Sequence, residues 1–217
     1  MEQKKGMFVV FEGIDGSGKG TQIIQLVEYI KKLDKYQDVI ITHEPWKSKR
    51  IKNRLEEEKD AFSSGLEIAN LFVNDRVEHV KKLIVPNVRR GIFVLSDRYA
   101  LSTIAYQSAQ GVPVKVLLEM HRGKGVLVPD VTFFIDVPSN VVESRLKKRG
   151  ESIEKFEKRE FRDVLIRQYR DLIKNAQDNG YVFGKVILID GTGEISDIAK
   201  RIREEFEVFY KDRRNRE

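Results

Sequence analysis

Five short apolar runs, Met7–Phe11, Val39–Ile41, Ile92–Leu95, Val131–Ile135 and Val186–Ile189, punctuate this sequence of 217 residues. They are rich in Val, Ile and Phe and lack the polar alternation of a strand with one wet face. A strand that reads apolar throughout is covered on both faces, as in a parallel sheet buried between helices. Helical spacing fills the intervals. Ile23, Ile24, Val27 and Ile30 predict one buried stripe, and Leu66, Ala69, Val73, Val77, Val80 and Ile84 another. Further helices are expected to begin near Pro113, Pro138 and Ile195, the two prolines suiting a first helical turn. Strands alternating with helices imply an α/β fold, a five-stranded parallel sheet with helices on both faces. The length suits one domain, 1–217, with no repeat and no Pro/Gly/Ser-rich linker.

Composition removes several kinds of chemistry. With no cysteine, disulfide frameworks, thiolate metal sites and cysteine nucleophiles are all excluded. Forty Lys and Arg against thirty-four Asp and Glu leave a net charge of +6, which suggests an anionic partner. Nucleic acid is not the expected one, because the basic residues lie mostly in mixed-charge helices and no nucleic-acid-binding motif is present. No stretch approaches the roughly 18 apolar residues of a membrane span, and Met7–Phe11 leads into glycines rather than a cleavage site. A soluble, cytoplasmic protein is expected. Of two dense charge runs, 143–162 and the tail from Lys211, the tail reads as solvated surface.

The loop after the first run carries the first chemical signal. Gly13, Ile14, Asp15, Gly16, Ser17, Gly18, Lys19, Gly20 and Thr21 join a strand to a helix. Glycines let successive backbone N–H groups turn inward on phosphate oxygens. The helix start adds its positive dipole end, and Lys19 a full charge on the β/γ-phosphates. The usual pattern closes Gly-Lys-Ser/Thr with the hydroxyl on Mg²⁺, but here Gly20 holds that position and Thr21 follows. Either Thr21 serves the metal through a phosphate or a water, or solvent and carboxylates hold it. Asp97-Arg98 follows the third run, so Asp97 falls at the carboxyl end of an inner strand, where open α/β sheets bind ligands. A carboxylate there can hold Mg²⁺ directly or through water, and Arg98 can grip a phosphate with two N–H groups. A guanine-reading Asn-Lys-x-Asp run is absent, which argues against a GTPase switch.

The stretch from Phe11 to Gln22 resembles the phosphate loop of thymidylate kinases, and Asp97 to Gln107 resembles their second signature. Leu71 to Val80 is similar to the helix that presents their substrate-binding arginine, and Pro129-Asp130 and the arginine-rich stretch after it match in order. The likeness covers nearly the whole chain. It implies the three-layer P-loop fold with a mobile lid at about 143–162, and transfer of the ATP γ-phosphoryl group to dTMP with Mg²⁺ as cofactor. By the same likeness Asp15 binds the deoxyribose 3′-hydroxyl, Phe72 stacks on thymine, Arg76 contacts the base and Arg98 holds the acceptor phosphate. Ser102 lies near the base, Tyr106 lies under the sugar, and Gln107 and Pro45 border the acceptor pocket. Phe72 and Arg76 are four residues apart and so share a helix face.

No arginine lies between Gly13 and Thr21, so the resemblance assigns the transition-state arginine to the lid, Arg149 first and Arg145 second. His43-Glu44-Pro45-Trp46 departs from the family's Arg-Glu-Pro followed by glycines. His79 and His121 show no metal spacing and read as ordinary surface or helix residues. The likeness also implies a homodimer. Another nucleoside monophosphate or deoxynucleoside kinase with broader base specificity is the alternative, since Gly-Lys-Gly-Thr-Gln also resembles adenylate kinases.

Overall fold

The computed structural model describes residues 6–57, 60–149, 159–175 and 182–214, without the side chains of 148, 149 and 214. Five strands form: β1 (Phe8–Glu12), β2 (Val39–His43), β3 (Phe93–Asp97), β4 (Val131–Asp136) and β5 (Lys185–Asp190). All four pairings are parallel, in the order β2-β3-β1-β4-β5. The five apolar runs thus each become a strand. Every residue of β1 is buried, whereas the edge strands β2 and β5 are partly exposed. Flanking helices and neighbouring strands cover the centre of the sheet but not its rims.

The helices are α1 (Lys19–Leu33), α2 (Lys49–Glu57), α3 (Gly65–His79), α4 (Val85–Arg89), α5 (Ala100–Ala109), α6 (Val114–His121), α7 (Ser139–Arg149), α8 (Arg159–Lys174) and α9 (Ile195–Arg214). A π-helical turn, Val80–Ile84, joins α3 to α4 just before Pro86, whose missing N–H interrupts the regular ladder. One helical group packs α1 on α9, and another packs α5 against α3, α6 and α8. The starts expected near Pro113, Pro138 and Ile195 coincide with α6, α7 and α9.

Two stripe positions are corrected. Ile24 and Leu66 are 53% and 50% exposed, while Leu26 and Ile68 are buried in their place. Both errors have one cause. Apolar spacing admits two adjacent helix faces, and only the partner element decides which one is covered. Arg162 also departs from a solvated charge run. It is buried and bonds Ser139 Oγ at 2.7 Å and Glu143 Oε1 at 2.5 Å, tying α8 to α7.

The topology positions the site. Strand order reverses at β1, and the register sets Phe11 beside Asp97 of β3 and Phe133 of β4. Asp97 also faces His43 of β2. The glycine loop and Asp97 therefore share the crevice at the carboxyl end of the sheet.

Candidate active site

The loop closes onto α1 with Gly13, Gly16 and Gly18 at φ 145, 76 and 98°. At Gly13 a Cβ would meet the Ile135 carbonyl oxygen at 2.8 Å, so only glycine passes there. α1 starts with no side-chain cap and no acidic residue in its first turn. Its first N–H groups and positive dipole end are left for an anion. Lys19 is buried, with Nζ 3.2 Å from the carbonyls of Gly13 and Ile14 and 3.8 Å from Asp97 Oδ1. Burial, then the charge of Arg98, pushes its ammonium below the ordinary lysine range. A phosphate at the loop would reverse that balance. Asp97 Oδ1 and Ser17 Oγ are both buried with no hydrogen-bond partner. A buried carboxylate oxygen without a donor suits a hard cation or its water.

A second cavity opens on the other side of the loop, lined by Ser17, Gly18, Thr21, Gln22, Arg145, Ile195 and Ile198. Arg145 is anchored there, donating from Nη1 to the Ser17 carbonyl at 3.3 Å and from Nη2 to Gly191 O at 2.7 Å. Arg145 thus sits beside the loop and the β5–α9 turn, outside the cavity described next. Arg149, expected in the lid, has its side chain outside the described residues, as do residues 150–158 of the lid entirely.

The cavity lined by Asp15 and Arg98 has a volume of about 200 Å³. Asp15, Pro45, Phe72, Arg76, Arg98, Ser102, Tyr106 and Gln107 all line it, joined by Glu44, Leu55, Tyr99 and Thr103. Eight residues from four separate stretches of the sequence, 15, 45, 72–76 and 98–107, therefore converge on one concave site.

Arg98 is its electrostatic centre. The residue holds a left-handed backbone, φ 70°, which a non-glycine residue adopts at a cost of about 1–3 kcal/mol. Its N–H bonds the Phe11 carbonyl at 2.9 Å and its own carbonyl accepts from Ser96 Oγ at 2.8 Å, which fixes the turn after β3. Nη2 donates to Asp15 Oδ1 at 2.6 Å and Tyr106 Oη at 3.2 Å, and Nη1 to Ser102 Oγ at 3.0 Å. Burial acts to raise the Asp15 pKa, yet the guanidinium of Arg98 and the ammonium of Lys19 hold it down at about 2. Asp15 is an anion throughout the working range. Burial, with Asp15 nearby, keeps the Tyr106 phenol protonated, and Tyr106 Oη donates to Asp15 Oδ2 at 3.2 Å.

Glu12, within the loop signature, carries a structural role that local spacing does not reveal. Fully buried at the end of β1, it accepts the backbone N–H groups of Tyr99 at 2.8 Å and Ser102 at 3.0 Å, and the hydroxyl of Ser102 at 2.5 Å. It thereby caps α5, whose own N-cap residue gives no side-chain bond. Burial raises its pKa, with Ser102 and Arg98 opposing. The available signal was a carboxylate ending an apolar strand, where a buried charge demands partners.

The end of the cavity at Arg76 holds a second network. Arg76 of α3 is fully buried and bonds Glu44 Oε2 through Nε at 2.8 Å and Nη2 at 2.6 Å. Thr103 Oγ1 accepts from Nη2 at 2.8 Å, and His121 Nε2 lies 2.7 Å from Nη1. Glu44 Oε1 also meets His79 Nδ1 at 3.2 Å, and His79 Nε2 meets Thr42 Oγ1 at 2.8 Å. His79 and His121 are therefore not surface residues but buried members of this network. Trp46 stacks on His79, rings 5.1 Å apart, and Asp75 accepts its backbone N–H. The departure at His43-Glu44-Pro45-Trp46 thus ends in a packed aromatic lid over His79, with Pro45 still lining the cavity. Spacing gave no hint of these contacts, which join segments far apart in the chain.

A parallel five-stranded sheet with order 2-3-1-4-5, a glycine loop opening α1, and a carboxylate at the tip of β3 define a nucleotide-binding phosphotransferase of the P-loop class. A family model described as "Thymidylate kinase" matches residues 11–202. Among similar proteins, a probable thymidylate kinase of Staphylothermus marinus is 32% identical over 205 residues, spanning 93% of this chain and 95% of that protein. A thymidylate kinase of Ureaplasma parvum is 30% identical over 219 residues, 96% of this chain and 93% of that one. A probable thymidylate kinase of Thermococcus onnurineus is 35% identical, over 88% of this chain and 93% of its own length. The chain belongs to the thymidylate kinase family.

Proposed function

We propose that this chain moves the γ-phosphoryl group of ATP onto dTMP, giving ADP and dTDP on the way to dTTP. The observation that carries the reading is the single cavity in which Asp15, Phe72, Arg76, Arg98 and Tyr106 meet beside the phosphate loop. The donor phosphates lie on the N–H groups of Gly13 to Thr21 and on Lys19. The acceptor phosphate takes the Nη groups of Arg98, which Asp15 and Tyr106 otherwise occupy. Asp15, an anion hydrogen-bonded to Tyr106, then accepts the sugar 3′-hydroxyl. Phe72 covers one face of the base. Gln107 Oε1, buried and without a hydrogen-bond partner, is an acceptor for the N3–H of thymine.

Asp97, whose Oδ1 accepts no hydrogen bond and lies 3.8 Å from Lys19 Nζ, is the residue that would hold Mg²⁺ directly or through water. Bound with ATP, Mg²⁺ supplies neutralisation of the charge on the bridging phosphate oxygens. Among the described residues no group of three or more acidic or histidine side chains that could hold a metal ion forms. The lid, about 143–162, brings Arg149 or Arg145 to the phosphates. A homodimer in the cytoplasm completes the reading, supported by exposed Leu66 and Val116 on the neighbouring helices α3 and α6. Among the described residues no helix is long and apolar enough to cross a membrane.

The deciding test is coupled ADP release across all monophosphate acceptors. The highest kcat/KM is expected with dTMP, and a clear lead for uridylate or adenylate would reject the assignment. Gly20 offers a second check. A Cβ there meets nothing within 4 Å. Gly20→Ser is expected to raise Tm by about 1–2 °C, from ~0.5 kcal/mol of recovered helix propensity. It is also expected to lower the Mg²⁺ concentration for half-maximal turnover. A higher Mg²⁺ requirement would count against a metal role for that position.

A further inference from the structure

Arg76 lines the acceptor cavity with four of its five N–H groups already engaged, two on Glu44, one on Thr103 and one on His121. The last of these contacts is directional. His121 Nδ1 lies 2.7 Å from the Leu117 carbonyl, which can only accept, so Nδ1 carries the ring proton. Nε2 is then a lone-pair acceptor for Arg76 Nη1 at 2.7 Å. Burial first, and then the guanidinium beside it, hold the imidazolium pKa down at about 3, so the ring stays neutral. Both groups are buried, and neither can turn to water for a substitute partner.

We propose that His121 is a positioning residue for selection of the acceptor base. By accepting one Nη1 hydrogen, it leaves Arg76 a single unspent N–H for the cavity. A pyrimidine edge carrying a carbonyl oxygen can accept that hydrogen. An edge carrying an amino group presents donor to donor and leaves both groups unpaired, which a buried site penalises heavily. The tautomer of His121, set by the main chain of its own helix, thus extends into a keto-over-amino preference across the cavity. The inference rests on the reading that Arg76 meets the base.

The test compares the full-length wild type with His121→Leu, His121→Asn and His121→Gln, using dTMP, dUMP and dCMP at saturating ATP. Gln places an amide oxygen near the lost Nε2, whereas Asn can satisfy Leu117 but falls short of Arg76. Leu and Asn are expected to raise KM for dTMP by about tenfold and to shrink the dTMP-over-dCMP ratio of kcat/KM by about tenfold. In both, kcat and the KM for ATP stay near wild type. Gln is expected to restore KM and preference. Quenching of Trp46, the one tryptophan, supplies nucleotide affinity independently of turnover. Wild-type KM and preference in both Leu and Asn would overturn the proposal. So would losses that follow Tm and spread equally to kcat and the KM for ATP. If Leu fails to fold, the Asn and Gln pair decides. Arg76→Met separates the two levels. An unchanged preference there removes Arg76 from base reading, while a lost preference there with intact His121 variants removes only His121.

Discussion

Replacing Lys19 by Met is expected to lower kcat by about 10³-fold, or about 4 kcal/mol of transition-state stabilisation. The ammonium lies buried at the start of α1, held by two backbone carbonyls and 3.8 Å from Asp97 Oδ1. Those contacts are weak partners for a buried cation, and burial together with Arg98 already pushes its pKa down. The group is therefore poised for a stronger anion than the protein itself supplies. Met fills a similar volume without charge. The Gly13 and Ile14 carbonyls lose only long bonds of 3.2 Å, so Tm should change by no more than a few degrees. Steady-state kinetics and a thermal melt check both halves. A Lys19→Met enzyme within tenfold of wild type would mean that phosphate charge is neutralised elsewhere.

The second large effect is expected at Arg98. Arg98→Met should cut kcat/KM for dTMP by about 10²–10³-fold while the KM for ATP stays within a few fold. Its guanidinium reaches Asp15, Ser102 and Tyr106 at once, so in the proposed function it would both receive the acceptor phosphate and order the groups under the sugar. Arg98→Lys separates charge from shape. A point charge keeps attraction but cannot serve three directions, so about 10-fold of the loss should remain. The acid side supplies an independent readout. Asp15 is held at about 2 by Arg98 and Lys19 against the burial that would raise it. A folded-state pKa below the unfolded one adds stability above the unfolded value, lost as pH falls from about 4 towards 2. Without Arg98 the Asp15 pKa should rise, moving the acid limb of dTMP affinity to higher pH. Affinity titrations between pH 3 and 6 would expose an unmoved limb, which would deny that Arg98 governs Asp15.

Much of the site could be read locally because its parts are short-range. Gly13 to Thr21 declares a phosphate loop by composition and by its place between strand and helix. Asp97-Arg98 declares itself by following an apolar run, and Phe72 with Arg76 by sharing a helix turn. What escaped were groups whose meaning depends on a distant partner. Glu12 is one residue in a strand until Tyr99 and Ser102 arrive at its carboxylate. His79 and His121 look ordinary until Glu44 and Arg76 close on them. Ile24 and Leu66 fit an apolar spacing and yet face solvent.

Local sequence carries the five strands, the burial of the central three, the helix starts at Val114, Ser139 and Ile195, and the glycine loop between β1 and α1. Each rests on hydrophobic continuity or backbone freedom, which a residue and its near neighbours decide. The tertiary structure alone decided the order β2-β3-β1-β4-β5 and, through the reversal at β1, which segments share one crevice. It also decided that Arg76 has a neutral histidine as a partner, and that Arg145 is bound to the loop and to the turn after β5. Such facts come from pairings across tens of residues, where the free energy lies in mutual burial and hydrogen bonding between groups that no local pattern brings together.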